Sequence, residues 1–130
     1  MSMTVPERFI LIDDNEADNV YHEIMIRRAG FAGEILIFES GIDALDYLRT
    51  DGLTLPTCIY LDINMPLMDG FEFALEATPL LAGKPTVVLV MLTSSGSPKD
   101  RQRVAEIPVI QGFVTKPLVA AAVRTMLQRD

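Results

Sequence analysis

Short apolar runs recur along the chain and are separated by segments with a different pattern. Five runs of mostly apolar residues, each bounded by turn or charged residues, lie at positions 9–12, 35–38, 58–61, 87–92 and 109–114. Most of them show no alternation of polar and apolar side chains, which is typical of strands covered on both faces. The pattern therefore predicts five strands of a parallel sheet.

The segments between the runs carry apolar residues at the spacing of amphipathic helices. The first helix is predicted to stop at Gly30, and its stripe consists of Ala17, Val20, Tyr21, Ile24, Met25 and Arg28. The second and third stripes consist of Gly41, Ala44, Leu45 and Leu48, and of Phe71, Ala74 and Leu75. The second helix is expected to end at Asp51-Gly52 and the third near Thr78-Pro79.

Two further helices complete the pattern. Ser97 can cap a fourth helix and Pro98 suits its first position, although the residues that follow are mostly polar. The fifth helix runs to the end of the chain, with a stripe of Val119, Ala122, Val123, Met126 and Leu127.

Strict alternation of strand and helix predicts a doubly wound α/β fold with helices on both faces of the sheet. For five parallel strands the common order is 2-1-3-4-5, and ligands bind beyond the carboxyl ends of the strands, where the order reverses between the first and third. No linker, internal repeat or low-complexity tract is visible, so residues 1–130 are expected to form one domain.

Composition limits the classes of function. Eleven Lys and Arg against 18 Asp and Glu give a net charge of −7, which argues against a nucleic-acid or anionic-membrane surface. The single cysteine, Cys58, excludes an internal disulfide and is expected in the core. The longest apolar run is far shorter than the ~18 residues that span a bilayer. Without a signal-peptide pattern, the expected location is the cytoplasm. His22 is expected on the surface, not as a metal ligand.

Chemically capable side chains follow four of the five predicted strands. Asp13 and Asp14 come after the first strand, Asp62 after the third, Thr93 after the fourth and Lys116 after the fifth. In the predicted order these four strands are neighbours, so the side chains are expected to meet at one edge of the sheet.

Such a set is suited to a metal and a phosphoryl group. Carboxylates with a backbone carbonyl and waters are what Mg²⁺ prefers, and close carboxylates otherwise repel one another or raise their pKa values. An ammonium and a hydroxyl suit phosphoryl oxygens. A carboxylate can itself be the nucleophile, which gives an aspartyl phosphate.

With these residues the sequence resembles a response-regulator receiver domain over essentially its whole length. Four motifs carry the resemblance: Asp13-Asp14; Asp62 with Met65-Pro66 and Asp69-Gly70; Leu92-Thr93-Ser94; and Lys116-Pro117. The resemblance implies the flavodoxin-like (βα)5 fold. Most of these motifs alone would be an ordinary cap, turn, loop or surface charge; Asp62 is the exception, because a lone carboxylate at the end of an apolar strand needs a reason. The four motifs together and in order are specific to this family.

The resemblance also implies a role for each site residue. Asp62 would be the phosphoacceptor. Asp14 would bind Mg²⁺, or another divalent cation, directly, and Asp13 mainly through water. Asn64 would offer its backbone carbonyl to the metal. Thr93 and Lys116 would contact the phosphoryl oxygens.

Further positions are implied to serve the switch. Lys116-Pro117 is expected to be a cis peptide. Phe113 stands where receivers usually place an aromatic residue that moves in response to Thr93. Asn64 and Ser95 occupy positions that tune loss of the phosphoryl group.

The function implied is a signalling switch that is not an enzyme in its own right. A histidine kinase or phosphotransfer protein would donate the phosphoryl group, and a downstream protein would dock on the fourth helix, fifth strand and fifth helix. No output domain is expected after the fifth helix, so the protein would act by docking on another protein or by relaying phosphate. It is expected to be a monomer or weak dimer. A relay or phosphate sink without output of its own is the main alternative.

Three other functions are less well supported. A flavodoxin-like cofactor module needs an anion-friendly loop after the first strand, where this chain has Asp13-Asp14-Asn15-Glu16. A haloacid-dehalogenase-type phosphatase needs a second acid two residues after the nucleophile, and Asn64 is there instead. A degenerate scaffold receiver is disfavoured because every site residue is present.

Overall fold

A computed structural model describes residues 5–94 and 96–128. The strands are β1 (Arg8–Ile12), β2 (Glu34–Phe38), β3 (Thr57–Asp62), β4 (Val87–Thr93) and β5 (Ile110–Thr115). The helices are α1 (Glu16–Arg28), α2 (Gly41–Thr50), α3 (Gly70–Leu81), α4 (Pro98–Ala105) and α5 (Ala120–Leu127). The predicted alternation of five strands and five helices is confirmed.

All strand pairs are parallel, and the sheet has the predicted order β2-β1-β3-β4-β5. One core cluster packs α2 and α3 against one face of the sheet, with Ile10, Ile59 and Leu89 among its buried residues. The other packs α1 and α5 against the opposite face and includes the fully buried Cys58, as expected. The three central strands are buried throughout, and their carboxyl ends lie at one edge of the sheet.

The predicted apolar stripe of α1 is not its buried face. The structure buries Asn19, His22, Met25 and Ile26, and it leaves Val20, Tyr21 and Ile24 between 42 and 51% exposed. Polar contacts at the start of the helix fix this rotation. The side-chain Nδ2 of Asn19 donates a hydrogen bond to the backbone carbonyl of Asp13 at 2.8 Å. The expectation that His22 lies on the surface is therefore wrong, because His22 turns inward with Asn19.

Helix α3 is longer than expected. It continues through Pro79 to Leu81, and Leu75 of its predicted stripe is 56% exposed. Proline removes a hydrogen-bond donor, but only two residues of the helix follow Pro79. The hydroxyl of Thr78 donates to the carbonyl of Ala74 at 2.8 Å, and buried Ala77 and Leu81 hold the last turn against the core.

A partly buried ion pair lies at the opposite end of the sheet. Arg8 begins β1 with 3% of its surface exposed, and its guanidinium contacts the carboxylate of Asp51 at 3.0 Å. It also donates to the hydroxyls of Tyr47 and Thr57 at 3.1 and 3.0 Å. These contacts hold the C-terminal end of α2 against the first residues of β1 and β3. No helix in the part of the chain that the structure describes combines the length and the apolar character that crossing a membrane requires.

Candidate functional site

Three carboxylates meet at the carboxyl edge of the sheet. Asp13 and Asp14 directly follow β1, and Asp62 is the last residue of the adjacent β3. One carboxylate oxygen from each of the three lies within 4.8 Å of the others. Asp13 and Asp62 are buried, whereas Asp14 is exposed. The edge therefore combines two desolvated acids with one that faces solvent.

Lys116, directly after β5, places its ammonium among these acids. Its Nζ lies 2.7 Å from Asp13 and 3.2 Å from Asp62. It also lies 2.8 Å from the carboxylate of Asp18, in the first turn of α1. The lysine backbone is fixed as well, because its N–H donates to the carbonyl of Thr93 at 2.7 Å. The Lys116-Pro117 peptide is cis, as predicted.

The local backbone holds Asp13 from several sides. Its N–H donates to the carbonyl of Phe38 on β2 at 3.0 Å, and its Oδ1 accepts from the N–H of Asn15 at 2.9 Å. With Lys116 on Oδ2, both carboxylate oxygens of Asp13 have protein partners. Within the described residues Asp14 makes no hydrogen bond or ion pair, and it is exposed, so its carboxylate is open to a ligand from solvent.

The start of α3 brings backbone close to Asp62. Asp69 caps the helix in a reciprocal pair of hydrogen bonds with Glu72, and the N–H of Gly70 donates to the carbonyl of Ile63 at 2.8 Å. A side chain at Gly70 would collide with the carbonyl oxygen of Asp62, which explains why glycine stands here. Asn64 is exposed in the loop between them.

The two predicted switch residues lie on the same face of neighbouring strands. Thr93, fully buried, pairs with Thr115 across the β4–β5 ladder, and Phe113 pairs with Met91 two residues earlier. Paired residues and residues two apart in a strand share a face. The ring of Phe113 is partly buried, and the guanidinium carbon of Arg101 on α4 stands 5.2 Å from its centre. Ser95 lies outside the described residues.

Burial and charge set the acid–base properties of the site. Burial, together with the charges of Asp13 and Asp14, raises the pKa of Asp62 to about 6, despite the opposing effect of Lys116. Burial lowers the pKa of Lys116, but its hydrogen bonds to Asp13 and Asp18 outweigh this and hold the pKa above its ordinary value. Burial and the charge of Lys116 lower the pKa of His22, which favours its neutral form.

The cluster of three carboxylates, from Asp13, Asp14 and Asp62, fits a hard divalent cation. Close carboxylate oxygens are what Mg²⁺ prefers, and a cation would relieve the repulsion that raises the pKa of Asp62. Of the sequence-predicted residues, the structure groups Asp13, Asp14, Asp62 and Lys116. Sequence reasoning missed Asp18. Its place in the first turn of the helix that follows β1 was the available signal, but an acidic residue there also suits a helix N-terminus.

Comparison with known proteins gives a single family. The sequence matches the family described as response regulator receiver domain over residues 9–128. The chain is 34% identical over 122 residues to the probable methanogenesis regulatory protein FilR2 of Methanothrix harundinacea, covering 87% of this chain and 74% of that protein. Other curated relatives are longer: the chain spans 50% of the transcriptional regulatory protein CreB of Escherichia coli and 16% of the sensor histidine kinase CheAY of Helicobacter pylori.

Solved structures agree with the sequence match. A response regulator receiver protein from Dyadobacter fermentans has a TM-score of 0.83 at 29% identity, covering 93% of this chain and 94% of that one. The Mn²⁺-bound form of response regulator Rcp1 has a TM-score of 0.70 at 26% identity, covering 95% of this chain and 90% of that one.

Proposed function

The chain belongs to the response regulator receiver domain family of two-component signalling, and from that premise we propose that Asp62 is its phosphoacceptor. The observation that carries the proposal is the position of this carboxylate. It is buried at the carboxyl end of a central strand, 3.2 Å from the ammonium of Lys116 and grouped with Asp13 and Asp14.

The proposed reaction needs little beyond these groups. An Asp62 oxygen attacks the phosphorus of a phosphohistidine, the new O–P bond forms as the P–N bond breaks, and the imidazole takes up a proton as it leaves. The raised pKa of Asp62, about 6, still leaves the nucleophilic carboxylate ionised at neutral pH. In this proposal Lys116 would bind a phosphoryl oxygen as a charge, and the hydroxyl of Thr93 would bind another as a hydrogen-bond donor.

A divalent cation, with Mg²⁺ as the expected species, forms part of the proposal. Asp14 and Asp62 would hold it directly, and Asn64 would contribute its backbone carbonyl. Asp13 would act mainly through water, because both of its carboxylate oxygens already have protein partners. When bound, the ion supplies positive charge against the negative charge of a phosphoryl group. The Mn²⁺-bound state of Rcp1 supports such a site in the family.

Receiver domains partner with histidine kinases or phosphotransfer proteins, and one of these is the proposed donor. The exposed apolar residues of α1, namely Val20, Tyr21 and Ile24, lie on the helix that begins beside Asp14. A donor protein that reaches Asp62 must also cover the start of α1, beside Asp14. We place a helical segment of the donor on this α1 patch, where it would bury surface that the fold leaves in water.

The proposed output is a change in protein contacts at α4, β5 and α5, transmitted through Thr93 and Phe113. The protein acts as a phosphoacceptor that assists its own phosphorylation and dephosphorylation, in the cytoplasm, as a monomer or weak dimer. A phosphate relay or sink remains the alternative. The relay or sink function would be identified if the phosphorylated protein gained affinity for no target and passed its phosphoryl group back to a donor.

Incubation with a small phosphodonor such as acetyl phosphate and Mg²⁺ tests the proposal. We expect one acid-stable, base-labile phosphoryl group per chain and none on Asp62→Asn. Asp69→Asn is the matched control, because this helix-capping acid stands in the same loop, and it is expected to be labelled. Undiminished labelling of Asp62→Asn would contradict the assignment.

A further inference from the structure

Lys116 is shared among more acids than the proposed reaction uses. Its Nζ lies 2.7 Å from Asp13 and 2.8 Å from Asp18, with hydrogen bonds to both, and 3.2 Å from Asp62. An ammonium has three N–H donors. The three acids therefore surround the ammonium in the unphosphorylated protein, and two of them hold it by hydrogen bonds.

The three carboxylates are not held equally. The side chains of Asp13 and Asp62 are 5 and 9% exposed, whereas that of Asp18 is 39% exposed. A carboxylate that loses its partner while buried pays a desolvation penalty, but an exposed one regains water. Asp18 is therefore the partner that Lys116 gives up most easily.

A phosphoryl group on Asp62 carries more negative charge than the free carboxylate does. Lys116 binds one of its oxygens only in competition with the carboxylates of Asp13 and Asp18, which hold the ammonium by hydrogen bonds. We propose that Asp18 is a positioning residue that competes with the phosphoryl group on Asp62 for the ammonium of Lys116. This inference rests on the proposed function of Asp62.

This competition would couple the start of α1 to the phosphorylation state of Asp62. In the unphosphorylated protein Asp18 connects the first turn of α1 to the residue that follows β5. The turn itself is held independently, because the side chain of Asn15 accepts from the N–H of Asp18 at 3.0 Å. Phosphorylation would release the side chain of Asp18 while the helix start stays in place.

Beryllofluoride, a phosphoryl mimic, tests the competition directly. Its dissociation constant is measured at saturating Mg²⁺ for the wild type, Asp18→Asn, Asp18→Glu and Glu16→Gln, by NMR titration. Glu16 is the matched control, because it is an acid in the same turn that makes no ion pair within the described residues. Its variant removes the same charge without freeing Lys116.

Asp18→Asn is expected to bind beryllofluoride about two- to fivefold more tightly than the wild type, the range for loss of a partly exposed ion pair. Glu16→Gln should change the affinity less, and Asp18→Glu should restore wild-type affinity. Equal affinities for Asp18→Asn and Glu16→Gln, or weaker binding by Asp18→Asn, would overturn the competition. A change in denaturant stability alone, with unchanged affinity, would show a purely structural role and overturn it too. If the wild type fails to bind the mimic, it is the proposed function that fails.

Discussion

Replacing Asp62 by Asn is expected to stabilise the metal-free protein at neutral pH. The burial of this carboxylate and its neighbours Asp13 and Asp14 raise its pKa from 3.8 to about 6. A difference of that size corresponds to about 3 kcal/mol between the charged and neutral forms. Asn has the shape of the neutral acid, so the variant avoids this cost. Lys116 keeps Asp13 and Asp18 as partners and is not left as an unpaired charge.

The stability that Asp62→Asn gains over the wild type is expected to depend on pH. Because the pKa of Asp62 is higher in the folded than in the unfolded protein, the folded state binds this proton more tightly. The contribution of Asp62 to stability is therefore present below pH 3.8 and is lost as the pH rises through about 6. The stability advantage of Asp62→Asn should be small near pH 4, grow between these two values, and level off near about 3 kcal/mol above pH 7.

Urea unfolding of both proteins with a chelator present, at a series of pH values, measures this difference. Subtracting the free energy of unfolding of the wild type from that of the variant cancels the contributions of the acidic residues that both proteins share. Asp46→Asn is the control, since Asp46 is 68% exposed, and it should change the free energy of unfolding by no more than about 0.5 kcal/mol. A variant less stable than the wild type at pH 7.5, or a gain independent of pH, would refute the reasoning.

Three further predictions follow from the same structure. Mg²⁺ at ten times its dissociation constant should stabilise the wild type by about 1.4 kcal/mol and Asp14→Asn much less, as thermal melts can check; equal shifts would contradict the metal site. Beryllofluoride should shift the NMR signals of Phe113 and α4, and Thr93→Ala should lose these distant shifts while keeping phosphorylation; shifts confined to the site would contradict the relay. Ile24→Glu should slow phosphotransfer from a protein donor but not from acetyl phosphate, whereas Leu75→Glu on α3 should slow neither; equal rates from the protein donor would contradict the α1 patch.

The fold was predictable because its signals are local. Each central strand is a run of apolar residues, and caps such as Ser97 and Asp69 stand where the helices begin. Strand order then follows from the general preference for 2-1-3-4-5 in this kind of sheet. The meeting of Asp13, Asp62 and Lys116 follows in turn, since parallel neighbours end at the same edge.

The errors arose where specific polar side-chain contacts overrule the apolar pattern. The apolar stripe of α1 predicts a buried Val20 and Ile24, yet the contacts of Asn19 with Asp13 and of Asp18 with Lys116 rotate the helix. The partly buried pair of Arg8 and Asp51, 43 residues apart in sequence, likewise cannot be predicted from periodicity. Exposing the apolar side of α1 to water contributes nothing to folding stability, and exposed apolar patches of this kind mark interaction surfaces.

Chemical mapping of the phosphorylated residue tests the central claim most directly. The protein is treated with acetyl phosphate and Mg²⁺, reduced with borohydride, which converts an aspartyl phosphate to homoserine, and digested for mass spectrometry. The account predicts homoserine at position 62 and unchanged aspartate at positions 13, 14 and 69. Homoserine at any of those three positions, with Asp62 unmodified, would contradict it.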